Sequence, residues 1–258
     1  MTTDDVGELR SADVEAAVDT EVVRRAREIA ARLSLSRPTH GRTELRGAGL
    51  LRSVRYSGSS DEIDIEATLD RLVESARMSD RDIIVRERRQ NRRSIVLAVD
   101  VSGSMSGERA QTAAATIGAT VGRLSDDAVG VLAFWSDASV LVPLGDPSSP
   151  EVVLDLLLQL PSRGLTNIEF PLRAALSQLE RVPARDARVL LLSDCVHNAG
   201  PDPRSVASRL PRLDVLLDTS GEHDVDLARD LAELGRGRFA SAATYRDVAP
   251  AMSRLFGP

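Results

Sequence analysis

The chain of 258 residues contains no lysine, and all 33 of its basic residues are arginine. Walker-type phosphate loops, protein kinases, Schiff-base enzymes and Ser-x-x-Lys hydrolases each need a lysine ammonium group at the centre of their chemistry. The absence of lysine therefore excludes all four classes. It also leaves the chain without a recognisable ATP-binding motif.

Sulfur and imidazole ligands are equally scarce. The single cysteine, Cys195, excludes an internal disulfide framework and any zinc or iron-sulfur site that needs several cysteines. The three histidines, His40, His197 and His223, lie far apart and form no His-x-x-x-His pair. A metal site built on sulfur or on histidine is therefore disfavoured.

The chain also lacks long apolar runs and an excess of positive charge. No stretch approaches the eighteen or so apolar residues of a membrane helix, and residues 1–5 are acidic, unlike a signal peptide. Its 33 basic and 39 acidic residues give a formal net charge of -6, which argues against a nucleic-acid-binding surface. We therefore expect a cytoplasmic protein with no membrane span and no nucleic-acid partner.

Two segments of different character divide the chain. Apolar residues at helical spacing predict an amphipathic helix over residues 11–33, which needs a surface to pack against. Residues 34–60 are rich in glycine, serine and arginine and predict a connector. We place an N-terminal helical arm and connector at residues 1–91 and the main domain at residues 92–258.

The main domain alternates buried strands with helices. The expected strands are 94–100, 128–134, 139–144, 187–194, 213–218 and 238–242. The expected helices are 107–124, 150–160, 168–180, 203–210, 224–234 and 244–256. This alternation predicts an α/β fold with a doubly wound, mostly parallel, Rossmann-like sheet, whose ligands bind where the strands end.

An Asp-x-Ser-x-Ser sequence, formed by Asp100, Ser102 and Ser104, stands at the carboxyl end of the first strong strand. It offers oxygen donors alone, and Mg²⁺ prefers oxygen ligands and retains several waters. A simpler alternative is that the serines cap the following helix. Two distant residues favour the metal site: Thr166 opens another helix, and Asp194 ends another buried strand. Loops at one sheet edge converge, so all five side chains could surround one ion.

These five residues resemble the metal-ion-dependent adhesion site of the von Willebrand factor A domain family, in the family's order and strand context, over residues 92–258. The resemblance implies that Asp100, Ser102, Ser104, Thr166 and Asp194 hold Mg²⁺ or Mn²⁺. It further implies that an acidic residue of a partner protein completes the coordination of the ion. One departure is Cys195, where the family commonly has glycine.

Residues 61–69 and 84–89, which lead into the Asp-x-Ser-x-Ser strand, resemble a bacterial subgroup. That subgroup includes CoxE-like proteins, magnesium-chelatase D-type subunits and other partners of MoxR-type AAA+ ATPases. The resemblance implies a cytoplasmic adaptor that works with such an ATPase in maturation, metal insertion or remodelling of a client protein. The adaptor itself is not expected to be an enzyme.

Two alternatives remain open. A metal-dependent hydrolase would use the same ion to activate water, but no general base is evident beside the motif. A surface adhesin would need an export signal, which the sequence does not show.

Three further features have ordinary structural readings. Cys195 follows a buried strand, which favours a packed thiol over a nucleophile. His197 is expected to be a solvent-exposed loop histidine. Phe134 and Trp135 could anchor an interface, although packing in the core is favoured.

Overall fold

The computed structural model of the protein describes residues 24, 26–29, 50–56, 62–74, 82–89, 93–102, 108–123, 127–160 and 164–257. The chain forms two compact units. The large unit comprises Met1–Pro38 and Arg93–Pro258, and the small unit comprises Thr39–Arg92.

A six-stranded sheet forms the centre of the large unit. Its strands in chain order are β3 Ser94–Asp100, β4 Ala128–Phe134, β5 Ala138–Val142, β6 Ala187–Ser193, β7 Leu213–Asp218 and β8 Arg236–Ala242. The order across the sheet is β5-β4-β3-β6-β7-β8. All neighbours are parallel except β5, which runs antiparallel to β4 at one edge.

Helices cover both faces of this sheet. They are α2 Glu108–Arg123, α3 Pro150–Leu158, α4 Glu169–Leu179, α5 Arg204–Ala207, α6 Val225–Leu234 and α7 Tyr245–Phe256. Helices α2, α3 and α7 pack in one apolar cluster, and α4, α5 and α6 pack in the other. The predicted doubly wound, mostly parallel sheet is confirmed. Among the described residues, no helix combines the length and apolar character needed to cross a bilayer.

Strand β3 shows why the central strands are continuously apolar. Leu97 and Val99 pack in the cluster on one face, while Val96 and Ala98 pack in the cluster on the other. A strand covered by helices on both sides has no solvent-facing positions, so the alternation of apolar and polar residues disappears. The continuous apolar sequence of this strand therefore reflects its burial on both faces of the sheet.

The described part of the predicted N-terminal helix belongs to the large unit. Residues 24 and 26–29 are helical. Ala26 is fully buried, and Ile29 packs against the same cluster as α3. The guanidinium of Arg27 donates two hydrogen bonds of 2.8 Å to the carboxylate of Asp155 in α3. This turn is thus docked on the sheet domain; the remainder of residues 11–33 lies outside the described residues.

The small unit contains an antiparallel pair of strands, β1 Leu50–Arg55 and β2 Ile84–Arg89, and the helix α1 Ile65–Glu74. The interpretation of residues 34–60 as a connector is wrong for its last part, because β1 lies there. The reason is that β1 gains its backbone hydrogen bonds from β2, whose paired residues lie 29 to 39 positions away in the chain, and local composition does not reveal such distant pairing.

A buried carboxylate joins several elements at the amino edge of the large sheet. Asp214 of β7 is fully buried and accepts a 2.7 Å hydrogen bond from the backbone N–H of Arg238 in β8. Arg188 of β6 and Arg212 each lie 3.2 Å from its carboxylate. The guanidinium of Arg188 also lies over the ring of Phe256, 4.7 Å from its centroid. One carboxylate therefore links β6, β7 and β8 with the end of α7.

Close backbone approach at β8 yields a stability prediction. A Cβ atom on Gly237 would fall onto the backbone carbonyl of Leu213, whereas a Cβ on Gly164 would meet nothing within 4 Å. Gly237→Ala is therefore expected to destabilise the protein by about 2 to 3 kcal/mol, and Gly164→Ala to change stability by less than about 0.5 kcal/mol. Urea denaturation of both variants measures the difference. Equal stabilities would contradict the observed packing of β8 on β7.

Candidate functional site

The predicted site lies at the carboxyl edge of the six-stranded sheet. Strand β3 pairs with β4 on one side and with β6 on the other, so the chain winds away from it in both directions. This is the topological switch point of the fold, where the loops after β3 and β6 separate and leave a crevice. The strand order thus places the loop after Asp100 beside the loop after Ser193.

Asp100 is the last residue of β3 and is held by two serines. Its Oδ1 accepts a 2.9 Å hydrogen bond from the backbone N–H of Ser102, and its Oδ2 accepts one from the hydroxyl of Ser193. Burial raises the pKa of the Asp100 carboxyl to about 6, against these hydrogen bonds, which lower it. A cation beside this carboxylate would supply the favourable interaction that burial removes.

Ser102 and Thr166 meet at the same place, although they are 64 positions apart in the chain. The hydroxyl of Thr166 donates a 2.6 Å hydrogen bond to Oγ of Ser102, and both side chains are buried. Neighbouring oxygens around an octahedral ion with bonds of about 2.1 Å stand about 3 Å apart. The two hydroxyls are therefore close to the spacing that adjacent ligands of one ion require.

Asp194 follows β6 and faces the same space. Its Oδ1 accepts a 3.0 Å hydrogen bond from the N–H of Val196, and its charge contributes to the raised pKa of Asp100. A cavity of about 20 Å³ lies here, enough for one ion or water. Its lining residues lie at the carboxyl ends of β3, β6 and β7 and on the helix α2: Asp100, Ser102, Ala113, Leu192, Ser193, Asp194 and Asp218.

The structure thus brings together Asp100, Ser102, Thr166 and Asp194. Ser104, the other predicted ligand, lies outside the described residues. Within the described part of the chain, no three His, Cys, Asp or Glu side chains are close enough to hold a metal by themselves. An ion at this place would need hydroxyl and water ligands to complete its coordination. The donor set is all oxygen and fits Mg²⁺ or Mn²⁺.

The loop that carries Thr166 is held by the loop that follows Asp194. The N–H of Thr166 donates to Oδ1 of Asn198 at 2.7 Å, and its carbonyl accepts from the N–H groups of Asn198 and Ala199 at 3.1 and 3.2 Å. Sequence reasoning missed Asn198, and also Ser193 as a partner of Asp100. The position of Ser193 at the end of a buried strand was a usable signal, whereas nothing in the sequence marks Asn198.

His197 differs from its expected environment. It was expected to be solvent-exposed, but it is half-buried, and its Nδ1 accepts a 3.3 Å hydrogen bond from the N–H of Ile168. Burial lowers the pKa of this imidazole below its usual value. The histidine is half-buried because its ring meets the backbone of Ile168, the residue that precedes α4. Through this hydrogen bond it stabilises the segment that follows Thr166.

Phe134 and Trp135 are buried, which confirms their favoured reading as core residues. Cys195 is fully buried as well, in the apolar cluster that contains α4. Its φ of 60° lies in the left-handed region that favours glycine. The backbone at this position therefore has a conformation that glycine adopts more readily than cysteine, and the thiol is buried in the core.

The environment of Cys195 predicts an inert thiol. Burial, followed by the nearby charges of Asp100 and Asp194, raises the pKa of the thiol far above its usual range. We expect the native thiol to react with a disulfide reagent at least about a hundredfold more slowly than the thiol of the unfolded chain. A Val140→Cys variant supplies an exposed control thiol on β5, which should react at once. Fast reaction of both thiols in the native variant would contradict the burial of Cys195.

Comparison with known proteins agrees with this architecture. Residues 95–197 match the family model of the von Willebrand factor type A domain. A von Willebrand factor type A structure from Catenulispora acidiphila has a TM-score of 0.52 at 17% identity, covering 67% of this chain and 43% of that one. This likeness shows the fold. No curated protein matches the chain in sequence.

Two further solved structures are similar at lower scores. An aerotolerance-related membrane protein from Bacteroides fragilis has a TM-score of 0.49 at 17% identity, covering 62% of this chain and 96% of that one. The manganese-loaded TRAP protein of Plasmodium vivax has a TM-score of 0.49 at 21% identity, covering 62% of this chain and 72% of that one.

Proposed function

We propose that the chain carries a von Willebrand factor type A domain, which the match over residues 95–197 supports, and that it is a metal-dependent protein-interaction module. Asp100, Ser102, Ser104, Thr166 and Asp194 hold a divalent ion, Mg²⁺ or Mn²⁺, at the carboxyl edge of the sheet. The observation that carries this proposal is the convergence of carboxylates and hydroxyls on one small cavity at the topological switch point.

The chemistry of the donor set explains how such a site would bind a protein. Two carboxylates balance the formal charge of a divalent ion, and the three neutral hydroxyls are weak donors, so the bound ion stays electron-poor. The bound ion supplies a binding position for an anionic oxygen. A partner's aspartate or glutamate is the protein group that suits it, through a short charge-assisted bond. The side chains of this chain position the ion; the partner provides the last ligand.

We assign the site a docking role and no catalytic one. The cavity is lined by carboxylates, hydroxyls and two apolar side chains, and neither a histidine nor a thiol is among its described lining residues. The imidazole of His197 is engaged beneath the Thr166 loop, and Cys195 points into the core. These placements support binding over hydrolysis, because no histidine base lies beside the proposed ion among the residues that the structure describes.

The partner that we propose is a MoxR-type AAA+ ATPase or its client, with the chain acting as a cytoplasmic adaptor in maturation, metal insertion or remodelling. The support is the order of segments, in which residues 61–69 and 84–89 precede the Asp-x-Ser-x-Ser strand as they do in the CoxE-like subgroup. The lack of lysine supports the same division of labour, because these 258 residues then contain no Walker-type phosphate loop.

Metal binding is the first test. Mn²⁺ should bind the wild-type protein, and Asp100→Ala or Thr166→Ala should weaken binding at least about tenfold, because each removes a ligand. Isothermal titration calorimetry measures the affinities, and circular dichroism should stay nearly unchanged. Asp146→Ala removes an equal charge from an exposed loop and serves as the control. Indistinguishable Mn²⁺ binding by wild type and both site variants would show that the ion is not held here.

Metal-dependent capture of a partner is the second test. The protein, immobilised on a resin and incubated with native lysate, should retain its partner in the presence of Mg²⁺. It should release the partner on chelation and bind it again when Mg²⁺ is added back. Ser102→Ala combined with Ser104→Ala should mimic chelation, with a loss of about 2 to 5 kcal/mol of binding free energy. Ser205→Ala combined with Ser208→Ala, two exposed serines in and just after α5, is the matched control.

The identity of the captured protein separates the outcomes. Metal-dependent capture of an AAA+ ATPase or of a protein that it acts on supports the full proposal. Metal-dependent capture of a protein unrelated to any ATPase contradicts the adaptor role and leaves the docking role. Capture that ignores both chelation and the double site variant contradicts docking through the ion.

A further inference from the structure

Three neighbouring parallel strands end in a carboxylate at the same edge of the sheet. Asp100 ends β3, Asp194 follows β6 directly, and Asp218 ends β7, in the spatial order β3-β6-β7. The register that pairs Ser193 with Leu217 places the next two residues, Asp194 and Asp218, side by side. Asp218 belongs to none of the motifs that the sequence analysis singled out.

Asp218 lines the same cavity as Asp100, Ser102 and Asp194. It is only 8% exposed, comparable with Asp194 at 9%. None of the described residues that line the cavity is basic, so three carboxylates share one small space without an arginine in its wall. Carboxylates placed together away from bulk solvent favour a bound cation, because a positive charge offsets both their mutual repulsion and their lost hydration.

We infer that Asp218 is a further carboxylate of the metal site, acting through a water molecule that the ion retains. This inference rests on the proposed function. Neighbouring strands lie about 4.8 Å apart, so Asp218 begins about two strand spacings from Asp100 and one from Asp194. The carboxylates are also too far apart to hold one ion by themselves. A retained water bridges this gap, and Mg²⁺ and Mn²⁺ sites commonly keep such waters.

The local structure leaves Asp218 able to take this role. Its Oδ1 accepts a 2.8 Å hydrogen bond from the N–H of Ser220, which fixes the carboxylate at the end of β7. An oxygen of an asparagine at this position can accept the same bond. Asp218→Asn therefore removes the charge while it keeps the turn. Asp218 is a positioning residue: it orients the ion's water and adds negative charge, and it does not replace a ligand.

The consequence is that the isolated chain, without a partner, binds its ion more tightly than it would without the Asp218 carboxylate. A third carboxylate raises the affinity of the isolated chain for the cation, and outer-shell partners of metal sites typically change affinity tenfold to a hundredfold. We expect Asp218→Asn to weaken Mn²⁺ binding by about tenfold, and Asp218→Glu, which can still reach a bridging water, to restore part of that loss.

The test uses the full chain and Mn²⁺ alone, with free Mn²⁺ measured by electron paramagnetic resonance. Asp224→Asn is the matched control: Asp224 lies next to the site through its N–H bond to the carbonyl of Asp194, yet it does not line the cavity. Asp100→Ala is the reference for loss of a direct ligand. The shift in melting temperature on addition of Mn²⁺, taken against each variant's own metal-free value, keeps the comparison valid if a variant is less stable.

The outcomes separate this inference from the proposed function. Weakening by Asp218→Asn, partial recovery in Asp218→Glu and wild-type binding by Asp224→Asn support it. If Asp218→Asn binds as wild type does while Asp100→Ala fails, the inference is overturned and the metal site stands. Equal weakening by Asp218→Asn and Asp224→Asn also overturns it, because the effect is then general electrostatics. Unchanged Mn²⁺ binding by Asp100→Ala contradicts the proposed metal site itself.

Discussion

The polarity of the parallel sheet is the constraint on which the rest of the large unit depends. Because β3, β6 and β7 run in one direction, residues that end different strands meet at one edge, whatever their separation in the chain. Helices on both faces bury the strands almost completely, which leaves the strand ends as the place where polar groups can face solvent. The order and direction of the strands therefore bring the residues of the site together.

Within that frame, the polar groups of the site satisfy one another. Thr166 bonds to Ser102, Ser193 bonds to Asp100, and the backbone of Thr166 is held by Asn198. A buried polar group without a partner is costly, so this network stabilises the described parts of these loops. For the proposed docking role, such ordered loops would reduce the conformational entropy that binding costs.

The sequence predicted those strands and site residues that a local apolar run or a spaced motif marks. Strands 94–100, 128–134 and 213–218 have the bounds of β3, β4 and β7, because a continuous apolar run describes a strand buried on both faces. Strand β1 was missed since its stability comes from distant pairing, and α5 is shorter than the pattern over 203–210 indicated. At the site, a spaced motif identified Asp100 and Ser102. Asn198 and Asp218 belong to no motif, and only the tertiary structure shows that they lie at the site.

The contacts around the buried carboxylate of Asp214 have a practical consequence for attaching labels to this protein. Arg238, which bonds to Asp214 through its backbone, donates from its side chain to the carbonyls of Arg254 and Gly257 at 2.9 and 2.7 Å. The end of α7 is thereby fastened at the edge opposite the cavity. A fluorophore attached at Gly257 would therefore stand at the edge of the sheet opposite the cavity.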